Sequence, residues 1–381
     1  MAKKSILIFA TTYLPLVGGA ELALKNITDR LENINFDMVT GHYGGTSEER
    51  IGNVNVFRVG RNAMNSFFLP KALFPFASFL KGRVLLQKNR YDLVYVLQAS
   101  QAGGAVWLLK KLGYISQPVI INIQEGKNLD GQSWLTRFFR RLILQSANHF
   151  VVISQYLKRY LINQGISENK ISVIPNGVGL NNYQLPVSSY QLKEKLSISP
   201  QDKVIITVSR LVEKNGVADL IDAVHVLNAG SKFKNYKLIV VGGGPLEKSL
   251  RSKIKNLKLE QNVTMVGEVA PKELPSWLVR ADIFVRPSLS EGLGTAFLEA
   301  MAAGLAIIGT PVGGIPDFLK DRETGLFCQP KNPKDIADKI MEIVKNQDLR
   351  QKLVKNGRKL VEEKYDWDII AKKFENVYLS M

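Results

Sequence analysis

The stretch Arg286-Pro-Ser-Leu-Ser-Glu-Gly-Leu-Gly-Thr-Ala-Phe-Leu-Glu-Ala-Met-Ala-Ala-Gly304 continues the apolar run Ile283-Phe-Val285. It reads as a short strand, a glycine-bearing loop and the start of a helix, and open parallel sheets bind ligands in the crevice outside such strand ends. Glu291 lies in the loop and Glu299 stands eight residues later, about two helical turns on, so both carboxylates can face one side of the crevice. Gly292 and Gly294 let the backbone approach a ligand, and the amides of Leu293, Gly294 and Thr295 at the helix start make an anion site. Carboxylates suit vicinal hydroxyls, and hydroxyls flanking a phosphate describe a nucleotide sugar. Two glutamates at this spacing also occur as a solvated loop residue and a helix-face charge.

Outward from this stretch, short β-branched runs alternate with helix-period segments along the whole chain. The strands expected in the first half are Lys4–Phe9, Phe36–Thr40, Val54–Val59, Leu93–Leu97, Val119–Ile123, Phe150–Ile153 and Ile171–Ile174, with helices at Gly19–Leu31, Phe67–Lys88, Trp134–Ser146 and Ser154–Gln164. The second half offers Val204–Val208, Lys237–Val241, Val263–Val266, Ile283–Arg286, Ala306–Gly309 and Gly325–Phe327. The fold class is α/β, as two doubly wound Rossmann-like domains. Turn formers crowd Pro175–Pro186, which sets the expected boundary near 185: one domain over 1–185, a second over 186–364, and a closing helix over about 365–381.

The 381 residues carry 51 Lys and Arg against 34 Asp and Glu, a net +17, and 45% are hydrophobic. Residues 1–185 hold 21 of the cations and 10 of the acids, so the excess (+11) lies mainly there. Such a surface attracts an anion: nucleic acid, a phosphorylated metabolite or an acidic lipid. One cysteine, Cys328, excludes an internal disulfide framework and a cysteine zinc cluster; three histidines make a histidine-rich metal site improbable. The apolar run Ser5–Ala10 after Lys3 and Lys4 is too short for a signal peptide and reads as a first strand, and the expectation is a cytoplasmic protein, free or on a membrane surface.

Three further features can carry chemistry. In Ser209-Arg-Leu-Val-Glu-Lys-Asn-Gly216, Arg210 and Lys214 can neutralise a diphosphate leaving group, or simply be solvated. Val240-Val-Gly-Gly-Gly-Pro-Leu-Glu247 runs from a strand into a glycine turn around Gly243 but lacks the G-x-G-x-x-G spacing, so tight turning explains it nearly as well as ligand binding. Gly18 and Gly19, in Tyr13-Leu-Pro-Leu-Val-Gly-Gly-Ala-Glu21, bring main-chain amides to a phosphate or merely open a helix.

In order and spacing these features closely resemble the retaining GT-B glycosyltransferases of family 4. The resemblance rests on Glu291-x7-Glu299 within Pro-Ser-x-x-Glu-Gly-x-Gly-x-x-x-Leu-Glu-Ala-Met-Ala-x-Gly, then Pro311-Val-Gly-Gly-Ile-Pro-Asp317 and Thr324-Gly-Leu326, with Ile174-Pro-Asn-Gly-Val178 and Gly18-Gly-Ala-Glu21 earlier. It spans nearly the whole chain. It implies two Rossmann-like domains facing a deep cleft, a UDP- or GDP-sugar donor held by the C-terminal domain, no metal or other cofactor, and transfer with retention to a glycan or lipid-linked acceptor of the kind used in cell-envelope or polysaccharide assembly. It further implies that Glu291 contacts the donor sugar, Glu299 binds the ribose hydroxyls, Arg210 and a nearby Lys hold the diphosphate with Gly19 beside it, and Gly267-Glu-Val269 is the base loop, acting through Gly267 and Val269 backbone. The closing helix packs back on the N-terminal domain by the same resemblance.

The chain departs from the pattern in three places. The family lysine falls where Asn215 stands, with Lys214 one residue earlier. A histidine expected after Val119–Ile123 is replaced by Gln124-Glu125-Gly126, which makes Gln124 and Glu125 candidates for acceptor hydroxyls. Gly179 stands where the linker motif continues with Asp.

Asn65–Arg90 mixes Phe67, Phe68, Leu69, Phe74, Phe76 and Phe79 with Lys71, Lys81, Arg83, Lys88 and Arg90, and Phe138-Phe-Arg-Arg141 repeats the mixture. Aromatic and basic residues together suit an amphipathic helix on an anionic membrane, at the inner membrane face for a cytoplasmic enzyme; a buried helix with a solvated basic edge and breaks at Pro70 and Pro75 is the plain alternative. Nucleic-acid binding is disfavoured because no reader module is present. A sugar-nucleotide epimerase of the same fold and a dinucleotide-dependent oxidoreductase are the rival enzymes.

Overall fold

A computed structural model of the chain describes residues 3–16, 18–60, 68–125, 133–183, 198–230 and 235–381, with 68–72 by backbone alone. It divides into two compact units, Met1–Asn176 with Trp367–Met381, and Gly177–Asp366.

The first unit is built on strands β1 (Lys4–Ala10), β2 (Ile34–Gly41), β3 (Glu48–Ile51), β4 (Val54–Val59), β5 (Leu93–Leu97), β6 (Val119–Ile123), β7 (His149–Val152) and β8 (Ile171–Val173), in the order β3-β4-β2-β1-β5-β6-β7-β8. Every pairing is parallel except β3 with β4. Central strands such as Leu93-Val-Tyr-Val-Leu97 are buried at every position, as a parallel sheet covered on both faces requires. The sequence reading lacks β3, because Glu48-Glu-Arg-Ile51 has no β-branched run; its charges suit an exposed edge, and Gly52 at φ +56 makes the turn into β4. Helices α1 (Gly19–Arg30), α2 (Phe68–Lys88), α3 (Gln101–Lys111), α4 (Trp134–Gln145) and α5 (Gln155–Asn163) connect the strands. Ser133 and Ser154 cap α4 and α5, their hydroxyls accepting the amides of Thr136 and Leu157. The C-terminal helix, Trp367–Ser380, buries Ile370, Phe374 and Tyr378 in this unit's core, where the Tyr378 ring meets Tyr95 and Phe36 edge-on.

The second unit has an all-parallel sheet of β9 (Lys203–Val208), β10 (Tyr236–Val241), β11 (Val263–Gly267), β12 (Ile283–Arg286), β13 (Ala306–Gly309) and β14 (Leu326–Phe327), in the order β11-β10-β9-β12-β13-β14. Helices α6 (Val217–Gly230), α7 (Glu247–Asn256), α8 (Leu274–Leu278), α9 (Thr295–Ala302), α10 (Pro333–Lys345) and α11 (Gln347–Lys364) accompany it. Asn332 and Asn346 cap α10 and α11 by accepting the amides of Asp335 and Leu349.

The units part at Asn176–Gly177, earlier than the boundary near 185 that turn formers suggested; residues 184–197 lie outside the described ones. The physical reason is a tie that composition does not show. Val178 donates its amide to the Tyr365 carbonyl at 2.7 Å and bridges to Asp366, so the first linker residues belong to the second unit.

Both sheets are doubly wound. In the first the chain runs β1, β2, β4 and returns with β5 on the other side of β1; in the second it runs β9, β10, β11 and returns with β12 beside β9. Loops leaving the carboxyl ends of each such pair diverge and open a crevice.

Candidate active site

The crevice of the second unit opens between Val208 and Arg286, and one side chain spans it. Arg286, buried at the end of β12, donates Nη1 to the Val208 carbonyl at 3.3 Å, Nε to Ser288 Oγ at 3.2 Å and Nη2 to a Glu291 carboxylate oxygen, while its guanidinium lies 4.7 Å from the centre of the Phe297 ring. Both members of the Arg286–Glu291 pair are largely shielded, 6% and 14% exposed. A buried pair with its remaining donors satisfied is held in one geometry; removing one partner costs about 3–5 kcal/mol, because the other charge is left uncompensated. Glu291 Oε1 also accepts the Gly292 amide at 3.2 Å. Sequence reading placed Arg286 at the start of the motif but gave it no role; a cation closing an apolar strand was the available signal.

The loop bearing Glu291 is clamped by glycines. Gly313, at φ +56, stands so close that an added Cβ would come within 1.8 Å of the Glu291 carbonyl oxygen, and Gly314 donates its amide to that oxygen at 3.1 Å. Gly294 has φ +92 and opens α9, and a Cβ there would meet Phe297 at 2.7 Å and Arg286 at 3.1 Å. Leu293 is buried, whereas Thr295 at the helix start is half-exposed.

On the β9 side, Arg210 is exposed, and among the described residues its guanidinium makes no hydrogen bond or ion pair. Lys214 donates to the Ser290 carbonyl at 3.4 Å, and its own carbonyl accepts the Leu289 amide at 2.7 Å, so the two crevice loops are joined. Asn215 stands where the resemblance puts a lysine. It is buried and spends its Nδ2 on the Arg210 carbonyl at 2.7 Å, which shapes the loop and leaves Lys214 as the half-exposed cation.

Glu299, on α9, is largely desolvated; burial pushes its carboxyl up to about 7, against a smaller opposing pull from Arg286. Among the described residues no hydrogen bond reaches that carboxylate. Tyr183, at the end of the short helical turn Leu180–Tyr183, is close enough for Glu299 to add to the upward push that burial gives its phenol. Neither this proximity nor the Gly313 contact is visible as local pattern.

The glycine turn after β10 is occupied by the protein itself. Added Cβ atoms would come within 2.1 Å of the Ser209 carbonyl oxygen at Gly242, 2.6 Å of that of Leu211 at Gly244, and 2.7 Å of the Glu268 side chain at Gly243. The Gly243 carbonyl accepts the Leu211 amide at 2.8 Å. Gly243 thus gives its carbonyl to the neighbouring loop. Gly267, at φ +86, gives its carbonyl to Gly242 at 2.8 Å and has open space where a Cβ would point; Val269 follows half-buried.

The remaining candidates belong to the first unit. Gly18 caps α1, and the Glu21 carboxylate folds back so that a Cβ on Gly18 would meet it at 2.4 Å; Thr12 donates to the same carboxylate at 2.5 Å, while nothing crowds Gly19. Gln124 accepts from Asn176 at 3.1 Å, and among the described residues its buried Nε2 has no partner. Glu125 is ion-paired with buried Arg140, which accounts for its charge within the fold. Gly126 lies outside the described residues. At the neighbouring strand end, Gln98 holds φ +70 and Thr11 meets Ser100 at 3.2 Å. Among the described residues no group of three or more His, Cys, Asp or Glu stands where it could hold a metal ion.

Two family models divide the chain between them: "Glycosyl transferases group 1" matches residues 189–360 and "Glycosyltransferase Family 4" residues 17–182. The chain belongs to this glycosyltransferase family. The glycosyltransferase is 27% identical over 372 residues to an uncharacterized glycosyltransferase of Methanocaldococcus jannaschii, covering 95% of this chain and 94% of that one. It is 31% identical over 245 residues to the capsular polysaccharide biosynthesis glycosyltransferase CapM of Staphylococcus aureus, 62% of this chain and 63% of the other. Its fold matches the Anabaena protein HepE, solved in complex with UDP and glucose, with a TM-score of 0.81 at 21% identity over 99% of this chain and 100% of that one. The two Rossmann-like units are those of the GT-B glycosyltransferases.

Proposed function

We propose that this glycosyltransferase moves a hexose-type sugar from a UDP- or GDP-sugar to a hydroxyl of a glycan or lipid-linked acceptor, with retention at the anomeric carbon and without a metal. The observation that carries the reading is the Arg286–Glu291 pair fixed at the switch point between β9 and β12, with the helix start at Gly294–Thr295 and the cations Arg210 and Lys214 around it. Each part answers to a part of such a donor. Glu291 accepts from the sugar hydroxyls. Arg210, Lys214 and the amides of Leu293, Gly294 and Thr295 stabilise the departing diphosphate, since donors aimed at developing charge lower the barrier most. Glu299 meets the ribose hydroxyls, and the turn Gly267–Val269 presents main chain to the base. The acceptor hydroxyl attacks from the face the diphosphate leaves, and its proton passes to a phosphate oxygen. Gln124, Gln98 and Asn176 offer amides to an acceptor in the first unit.

The HepE complex with UDP and glucose and the capsule-synthesis relative support donor and pathway class. A thermal-shift panel of UDP-, GDP- and ADP-sugars selects the donor, and proton NMR of the product made with chelator present then reads its anomeric configuration. The expected product keeps the donor's configuration. An inverted product, or donor rearranged with no acceptor consumed as an epimerase would do, overturns the proposal.

A further inference from the structure

We propose that the outward faces of α2 and α4 in the first unit form a docking surface for an anionic lipid bilayer, an inference that does not depend on the transfer chemistry. On α4, Arg140, Ile143 and Leu144 point inward, while Trp134, Phe138 and Phe139 project from the opposite side, 73%, 53% and 54% exposed. At 100° per residue the two sets are centred on opposite faces. The Phe138 and Phe139 rings pack edge-on at 5.7 Å, making one apolar knob. α2 repeats the arrangement. Phe74, Ser78 and Leu85 are buried, and Leu73, Phe76 and Leu80 form a second stripe, 59%, 64% and 61% exposed, with Val84 continuing it. A surface helix ordinarily has one apolar face and buries it; these two bury one and leave another in water. α3 packs against both, so the two striped helices flank one common neighbour in the unit. Asn65 and Phe67, at the start of the segment singled out in the sequence, lie outside the described residues.

Charge selects the occupant. α2, α3 and α4 together carry nine Lys and Arg and no Asp or Glu. Arg137 and Arg141 flank the α4 stripe and are exposed, and Arg83 lies 5.0 Å over the Tyr114 ring beside α2. Aromatic and aliphatic groups rimmed by cations fit the headgroup and acyl boundary of an anionic bilayer. A second copy of this chain would set like charge against like, which opposes self-association through this face. None of the described helices is long and apolar enough to cross a membrane, so the contact is lateral.

The test is co-sedimentation of the full chain with phosphatidylcholine vesicles, with and without phosphatidylglycerol. Wild type should bind the anionic vesicles at low salt, weaken as salt rises, and leave neutral vesicles largely unbound. Phe138→Ser with Phe139→Ser should cut the affinity at least about tenfold, and Arg137→Glu with Arg141→Glu at least about fivefold, with circular dichroism unchanged because all four side chains are exposed. Failure of wild type to bind anionic vesicles, equal binding to neutral ones, wild-type affinity in both variants, or a dimer in sedimentation velocity that Phe138→Ser with Phe139→Ser dissolves would each overturn the proposal.

Discussion

The two units wind their sheets in the same way, yet they build the crevice at the reversal with different proportions of main chain and side chain. In the second unit, main chain meets main chain: Gly216 against Pro287, Gly242 against Ser209 and Gly313 against Glu291, each with a carbonyl oxygen where a Cβ would stand. Through that compact frame passes one buried charge pair, Arg286–Glu291. In the first unit one such contact recurs, Gly41 against the Thr11 carbonyl, but the rest of the corresponding place is lined by side chains: Thr11 against Ser100, Gln124 against Asn176, and Gln98 in a left-handed conformation. A frame of backbone contacts fixes positions within tenths of an ångström and suits a ligand that never changes, such as a nucleotide diphosphate. A frame of amides and hydroxyls can be rewritten residue by residue, which suits a variable acceptor.

The sharpest break in that contrast is Arg286→Ala. It leaves Glu291 buried without its cation and should destabilise the chain by about 3–5 kcal/mol, read from the midpoint of denaturant unfolding. Gly313→Ala comes next, at about 2–3 kcal/mol with donor binding lost, because a left-handed backbone and a carbonyl at 1.8 Å both refuse a methyl group. Glu299→Gln has a smaller effect with a defined sign. The folded-state value is raised, so the folded chain holds a proton that the unfolded chain has released, and stability falls as pH rises from about 4.5 to about 7. The amide should remove that slope and leave the variant more stable above pH 7, by on the order of 1–2 kcal/mol, while weakening donor binding. Gly19→Ala should be the mildest, within about 0.5 kcal/mol of wild type, since nothing crowds that position. A large loss there would show that the start of α1 also depends on backbone proximity.

The same contrast explains what could be read without coordinates. Alternating apolar runs specify parallel strands and helices almost everywhere, and the glycines with Glu291 and Glu299 at fixed spacing specify the second crevice, because backbone contacts demand particular residues at particular places. The edge strand Glu48–Ile51 escaped because an exposed edge needs no apolar alternation. Arg286 and Tyr183 escaped because their partners are set by tertiary proximity. Asn215 gives its Nδ2 and Gly243 its carbonyl to neighbouring loops, contacts that residue type alone does not announce. The identity of base and sugar was out of reach for a physical reason: on the proposed reading the base meets main chain, which leaves no side-chain signature. The boundary between the units lies earlier than the turn-forming composition suggests, and Val178 just beyond it bridges to Asp366 of the second unit.

The central claim is that the carboxylate pinned by Arg286 acts on the donor sugar. The most direct measurement is steady-state transfer by Glu291→Gln, which keeps an acceptor oxygen for the guanidinium, with folded protein matched by circular dichroism and the donor chosen by thermal shift. Turnover should fall at least about tenfold, roughly 1.4 kcal/mol of transition-state stabilisation, with the fold intact. Turnover equal to wild type would remove Glu291 from the chemistry and leave the pair a purely structural clamp.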